Sequence, residues 1–126
     1  MKTDEELAAE LAKERYRTLK IWNDAIDFAA EIYRHTAQFP VDERFGLVAQ
    51  LRRAGVSVPS NIAEGSRRLP AENINFLRYA LGSLAECDTQ LTIAERNGIA
   101  EYPVALKASI MSLTAAIRAF AKAIRA

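Results

Sequence analysis

Between about Leu19 and Ala37, a wheel drawn at about 100° per residue confines Lys20, Asn23, Asp24, Asp27, Glu31, Arg34 and His35 to one strip about a third of the circumference wide. The rest of the wheel is apolar. Trp22, Ala25, Ala29, Ile32 and Tyr33 form its centre, with Ile21 and Phe28 on one flank and Ile26 and Ala30 on the other. One side of a simple bundle needs less apolar surface than this, so the pattern predicts a helix with packing partners beyond its own bundle.

Phe39-Pro40 interrupts the chain, because proline disfavours a helical residue before it and suits the start of the next helix. A second bundle helix is predicted from about Val41 to Glu64, carried by Leu47, Val48, Leu51, Gly55, Val58 and Ile62. This stripe runs straight through Pro59, which lacks a backbone donor and presses on the carbonyl four residues back, a penalty of roughly 3 kcal/mol. That residue is Gly55. Its missing Cβ permits a bend, and Ser57, Ser60 or Asn61 can serve the freed carbonyl, so a kinked helix is expected. A short strand or loop over Val56 to Ser60 is the competing local reading.

Gly65 is expected to close this helix and Ser66 to Leu69 to turn. Pro70 and Glu72 then open a third helix that runs to Asn97 before the Gly98 stop. Leu77, Leu81, Leu84 and Leu91 mark its inner face. Gly82 and Ser83 within it predict close approach of another backbone, since a mid-helix glycine costs about 1 kcal/mol. A fourth helix begins near Pro103 with Leu106, Ile110, Leu113, Ile117, Phe120 and Ile124 as its stripe. Before all of these, Thr3 caps a short polar helix with Asp4, Glu5 and Glu6 in its first turn, reaching about Arg15. The fold class is all-α: an antiparallel up-down-up-down four-helix bundle over residues 19–126, with an N-terminal helical extension over 1–18.

The 126 residues fit one domain, half of them apolar and a quarter charged, as in a helical globule. The apolar runs fall short of the roughly 18 to 20 residues that cross a bilayer, and the N-terminus is acidic with no apolar leader core. No membrane and a cytoplasmic location are therefore expected. Cys87 is the sole cysteine, which excludes an internal disulfide or a thiolate zinc site, and Leu84 and Leu91 beside it mark it as a packed apolar residue. Net charge is +1, but residues 1–14 hold five acids and two bases against eleven acids and fifteen bases in the remainder. Twelve of the seventeen bases are arginine. Solvated helix faces and ion pairs are the plain explanation of such a bias.

Nothing along the chain assembles an active site. His35 is the sole histidine and falls on the polar strip, where a solvated side chain is expected, and no phosphate-binding loop or dinucleotide glycine pattern occurs. Glu86 and Asp88 stand two apart on a helix and diverge, and no Glu-x-x-His motif is present for a di-metal bundle. A non-enzymatic protein with no cofactor and no metal is expected. Asp88 falls among Leu77, Leu81, Leu84 and Leu91, which predicts a buried pair with Arg52 or Arg53 that fixes helix register. A second face of the second helix aligns Phe45, Ala49, Val56 and Ala63, with Arg52 among them. Small apolar residues suit a flat contact, so this flank is expected to meet a neighbouring copy in a closed ring. Arg44, Arg52, Arg53, Arg67, Arg68 and Arg78 are the candidate phosphate contacts, multiplied around such a ring.

Two blocks carry a resemblance: FP-x-x-E-R-F-G-L-x-x-Q-L-R-R-A-x-V-S-V-P-S-N-I-A-E-G at Phe39 to Gly65, and A-L-G-S-L-A-E-x-x-T-Q-L at Ala80 to Leu91. With the Trp22 and Tyr33 framework, the chain from about Leu19 to Phe120 resembles the small four-helix-bundle proteins associated with intervening sequences in bacterial 23S ribosomal RNA genes. Within the blocks, Pro59, Asn61, Glu64, Gly65, Gly82 and Ser83 are the residues a generic bundle does not call for. The resemblance implies a left-handed antiparallel bundle that assembles with copies of itself, as pentamers. It also implies a link to RNA or to RNA-templated elements, since related bundles resemble the accessory proteins of diversity-generating retroelements. The expected partners are a second copy, RNA or DNA, or a nucleic-acid-processing protein. A protein-only oligomeric scaffold is the alternative.

Overall fold

Apolar residues at three- and four-residue spacing coalesce into four long helices in the computed structural model, which describes residues 1–125. They are preceded by two short ones. In chain order these are α1 (Asp4–Leu11), α2 (Arg15–Thr18), α3 (Lys20–Thr36), a 3-10 turn (Val41–Glu43), α4 (Leu47–Ser66), α5 (Pro70–Arg96) and α6 (Val104–Arg125). No strand occurs among the described residues. Helix α3 packs on α4, α4 on α5, α5 on α6, and α6 returns to α3, so the four long helices close a bundle around one core. Phe28 and Ile32, Leu51 and Ile62, Leu77, Leu84 and Leu91, and Leu106 and Ile117 are each under 2% exposed. Each such side chain contributes about 1.5 to 3 kcal/mol of burial, which sets the interior against the entropy of ordering the chain.

Helix α4 is continuous through Pro59, which is buried, so the extended reading of Val56 to Ser60 is excluded. Gly55 is buried against α3, where a Cβ would make ordinary contact with Ile32 side-chain atoms at 3.4 Å. Asn61 does not serve the Gly55 carbonyl. Its amide donates to the Ser57 carbonyl at 2.8 Å and to Ser57 Oγ at 2.9 Å. The start of this helix also differs from expectation, because α4 begins at Leu47, not Val41, after the 3-10 turn and with Gly46 as its N-cap. Glycine is a poor helix former, and the Glu43 carboxylate takes the Leu47 N–H at 3.5 Å, which starts the helix afresh beyond Gly46.

Gly65 lies inside the last turn of α4, which ends at Ser66 with Arg67 as its C-cap. Its smallness admits α5: a Cβ would stand 2.5 Å from Asn73 Oδ1 and 2.8 Å from Phe76 Cβ. Gly82 behaves oppositely. Nothing lies within 4 Å of a Cβ built there, so no backbone approaches it within the chain, while the neighbouring Ser83 is buried and bonds across to α4. At the end of α5, Gly98 takes φ 67°, with Ile99 N–H on the Ala94 carbonyl and Gly98 N–H on Glu95, a Schellman close that only glycine adopts without strain.

The N-terminal segment is broken where the sequence predicts one helix to Arg15. Helix α1 stops at Leu11, and α2 starts after a turn at residues 12–14. No residue of α1 is buried. Helix α2 packs on α3 and α4, with Tyr16 against Trp22 at 5.3 Å between ring centres. At the other end of the chain, α6 is long and apolar enough to cross a membrane, with a mean hydropathy of 1.4, contrary to the expectation from apolar run length. Unbroken apolar runs are short there, but the uncharged stretch between Lys107 and Arg118, with Ile110, Met111, Leu113 and Ile117, raises the average. In the fold α6 presents Leu106, Ile110, Leu113 and Ile117 to the core.

Candidate functional site

The surplus apolar surface of α3 emerges as an open groove of about 520 Å³ between α3 and α4. Trp22, Ile26 and Ala29 form one wall, Val56, Pro59 and Ala63 the other, and Tyr16 of α2 closes one end beside Glu64 and Arg67. Ile26 is 41% and Val56 42% exposed, more than an aliphatic side chain keeps when it belongs to a finished core. Ala49 continues the α4 wall two turns earlier and is half-buried. Phe45 does not share this helical face. It sits in the turn ahead of α4, 89% exposed, with the Arg44 guanidinium 5.6 Å from its ring centre.

The six arginines are not gathered into one patch. Arg44 and Arg68 flank a 20-residue helix about 30 Å long, and Arg52 and Arg53, about 100° apart on it, turn toward different neighbours. Arg52 clamps α4 to α3: its Nε donates to Thr36 Oγ1 at 3.0 Å, another guanidinium nitrogen to the Tyr33 carbonyl at 3.3 Å, and it lies 4.5 Å over the Tyr33 ring. Arg67 pairs with Glu14 at 3.0 Å. Arg68 pairs with Glu64 at 2.6 Å and Glu72 at 3.5 Å and covers Phe76 at 5.2 Å. Arg53 and Arg78 carry no ion pair or hydrogen bond among the described residues.

The pair predicted between Asp88 and Arg52 or Arg53 does not form. Asp88 is exposed on the side of α5 that faces α6, and Tyr102 donates its hydroxyl to Asp88 Oδ1 at 2.8 Å. The wheel misplaces it because it takes Leu81 as core. Buried positions on α5 follow Leu77, Ala80, Leu84, Cys87, Leu91 and Ala94, leaving half-buried Leu81 and then Asp88 at the edge. Tyr102 itself is 7% exposed, and burial, then its bond to Asp88, raises its pKa.

His35 is likewise less solvated than expected. It is half-buried, its ring edge meets Phe39 at 5.3 Å between centres, and its Nε2 is sealed without a partner. Burial lowers its pKa, so the neutral ring is favoured. Cys87 is fully buried and its thiol is pushed up to about 12 by burial and then by Glu86, the reverse of an activated nucleophile. Among the described residues no cluster of His, Cys, Asp and Glu is placed to hold a metal ion.

The two sequence blocks meet along the α4/α5 seam. Ser83 donates to Ser57 Oγ at 2.8 Å, where Asn61 also donates, and Gln90 faces Gln50 at 3.4 Å. Arg53 and Glu86 line the same groove of about 330 Å³. Ser57, Asn61 and Ser83 satisfy one another and order the helix pair, while Gln90 Oε1 is buried without a partner among the described residues. A model of the 23S rRNA-intervening sequence protein family matches residues 17–120. The chain belongs to that family. Both blocks fall within the match, as do the groove walls from Trp22 to Ala63. Residues 1–16, with α1 and Tyr16, precede it. No curated protein matches the chain. Sequence reasoning missed Trp22, Ile26 and Ala29 as groove wall and Tyr102 as the Asp88 partner. The overly broad apolar arc of α3 is the signal for the first, while the second depends on a loop that folds back.

Proposed function

We propose that this member of the 23S rRNA-intervening sequence protein family is a non-enzymatic, cytoplasmic, self-associating helical bundle whose subunits meet through the α3/α4 face. The exposed apolar groove between Trp22, Ile26, Val56 and Ala63 carries this reading, because a monomer in water gains nothing from leaving such a face uncovered. A closed ring of identical contacts, five copies being the size implied by the resemblance, covers the face in every subunit. Helix α6 then acts as the fourth bundle helix and not as a membrane anchor. Sedimentation velocity tests the reading: an assembly larger than a monomer at micromolar concentration supports it, and a monomer refutes it. Ile26→Glu should dissociate the assembly while leaving the helical circular dichroism intact.

Nucleic-acid binding by the assembly is the second reading. The family's association with 23S rRNA intervening sequences favours it, as do the net +4 of residues 15–126 and the unpaired Arg53 and Arg78. Ion pairs already engage Arg67 and Arg68, and Arg52 is held by α3, so any phosphate contact falls first to Arg53, Arg78 and Arg44, which carry no ion pair among the described residues. Filter binding with RNA and with DNA across a salt series decides between this and a scaffold that binds protein alone. Affinity that falls steeply with salt marks counterion release.

A further inference from the structure

We propose that α1 is an exchange arm: Leu7 and Leu11 seat in the α3/α4 groove of a second copy. The inference rests on the self-association proposed above and names the segment that fills the contact.

Helix α1 has a formed N-cap, with Thr3 Oγ1 accepting the Glu6 N–H at 3.1 Å, and three acids in its first turn. It nevertheless spans eight residues and buries none, leaving Leu7 51% and Leu11 44% exposed. Isolated helices shorter than about 12 to 15 residues are marginal in water, so a lasting α1 requires an apolar surface outside itself. Leu7 and Leu11 are four apart and share one face of the helix, about 6 Å from each other, which matches a groove between two parallel walls.

The root of the arm is already fixed beside such a groove. Glu14 pairs with Arg67 at 3.0 Å and Tyr16 stacks on Trp22, both at the groove end, yet α1 leads off without entering it. Charge favours docking of the arm on a bundle body, and its own subunit's groove is left unentered. Residues 1–14 carry five acids and two bases, net −3, while residues 15–126 carry eleven acids and fifteen bases, net +4, so an arm laid on a neighbour's body meets opposite charge. At the groove end Arg67 and Glu64 are already paired, with Glu14 and Arg68, so neither repels the arm and the attraction is that of the body's net charge.

Trp22 is the sole tryptophan and lines the groove, so its fluorescence reports whether the groove is filled. The experiment compares the full chain with the Leu7→Glu/Leu11→Glu double variant by sedimentation velocity and by acrylamide quenching of Trp22. The substitutions touch nothing buried, so the bundle fold persists in the variant. The proposal expects a wild-type assembly with Trp22 shielded, and in the variant an association constant at least about tenfold weaker with Trp22 opened to quencher. A variant that assembles as tightly as wild type overturns the arm and leaves self-association standing. A wild-type monomer with Trp22 freely quenched overturns both. A wild-type monomer whose Trp22 is shielded until the leucines are replaced means the arm fills its own groove, which also overturns exchange.

Discussion

Tyr102 donates its hydroxyl hydrogen to Asp88 across the connection between α5 and α6, at 2.8 Å, two turns of α5 before the Glu95 carboxylate that accepts the Tyr102 backbone N–H at 2.8 Å. One residue of the loop is thereby held by two acids on the edge of α5. With the Gly98 close behind it, this pair directs the chain into α6, while the Lys107 ammonium covers the Tyr102 ring at 4.9 Å.

Stability should therefore fall in alkaline solution, and Tyr102 should account for part of the loss. Its folded pKa is raised above the unfolded value of about 10, so the unfolded chain ionises first. The contribution is complete below about pH 10 and disappears as pH climbs from there toward the folded pKa. Unfolding free energies from urea titrations of wild type and Tyr102→Phe at neutral pH should differ by about 1 kcal/mol, the worth of one hydrogen bond. The gap should narrow above about pH 10, where the phenylalanine variant has no phenol to ionise. A gap constant with pH would show that the pair contributes no proton linkage.

Two glycines should respond oppositely to alanine. Gly65→Ala places a Cβ against Asn73 and Phe76, on two helices already in contact, and should destabilise by roughly 1 to 3 kcal/mol. Gly82→Ala meets open space and should stabilise by roughly 0.5 to 1 kcal/mol through helix propensity. Thermal unfolding of both variants measures the pair. Loss of stability in Gly82→Ala would reveal a neighbour against that face in the assembly.

Cys87 should resist modification in the folded protein. It is fully buried, and its thiol is pushed up to about 12, so thiolate is scarce at pH 8. A disulfide reagent should react only as fast as the core opens, and urea should accelerate it by orders of magnitude. Rapid labelling of the native protein would mean that α5 frays where Leu84 and Leu91 hold it.

The helices are legible where spacing alone decides. The stripe of α6 specifies its buried face, and the Leu47 to Ile62 stripe is strong enough to continue through Pro59. The arc of α3 is too broad to specify one, and its buried face centres on the Ile21 and Phe28 flank with Ala25, Ile32 and Thr36, leaving Tyr33 exposed. What escapes depends on contacts between elements. Asp88 falls in the core on a wheel that cannot know that small Ala80, Cys87 and Ala94 turn α5 toward its neighbours. Gly65 reads as a stop signal because a close approach and a cap ask for the same residue. The arginines share a stretch of sequence, yet each has its own environment set by α2, α3 or α5.

That division predicts a separation of roles among neighbouring arginines. Arg52→Ala removes two hydrogen bonds and the Tyr33 stacking interaction, so it should cost about 1 to 2 kcal/mol of stability. Arg53→Ala and Arg78→Ala remove side chains with no intrachain ion pair and should leave stability within about 0.5 kcal/mol of wild type. If the assembly binds nucleic acid, the latter two should flatten the dependence of log affinity on log salt, by about 0.9 for each duplex phosphate no longer neutralised, multiplied by the copies engaged. Arg52→Ala should leave that slope unchanged wherever the assembly persists, because its guanidinium is held by α3. Equal slopes for wild type and the Arg53→Ala/Arg78→Ala double variant would remove these two residues from any role at phosphate and pass it to other cations, whereas no binding at any salt would favour the protein-only scaffold.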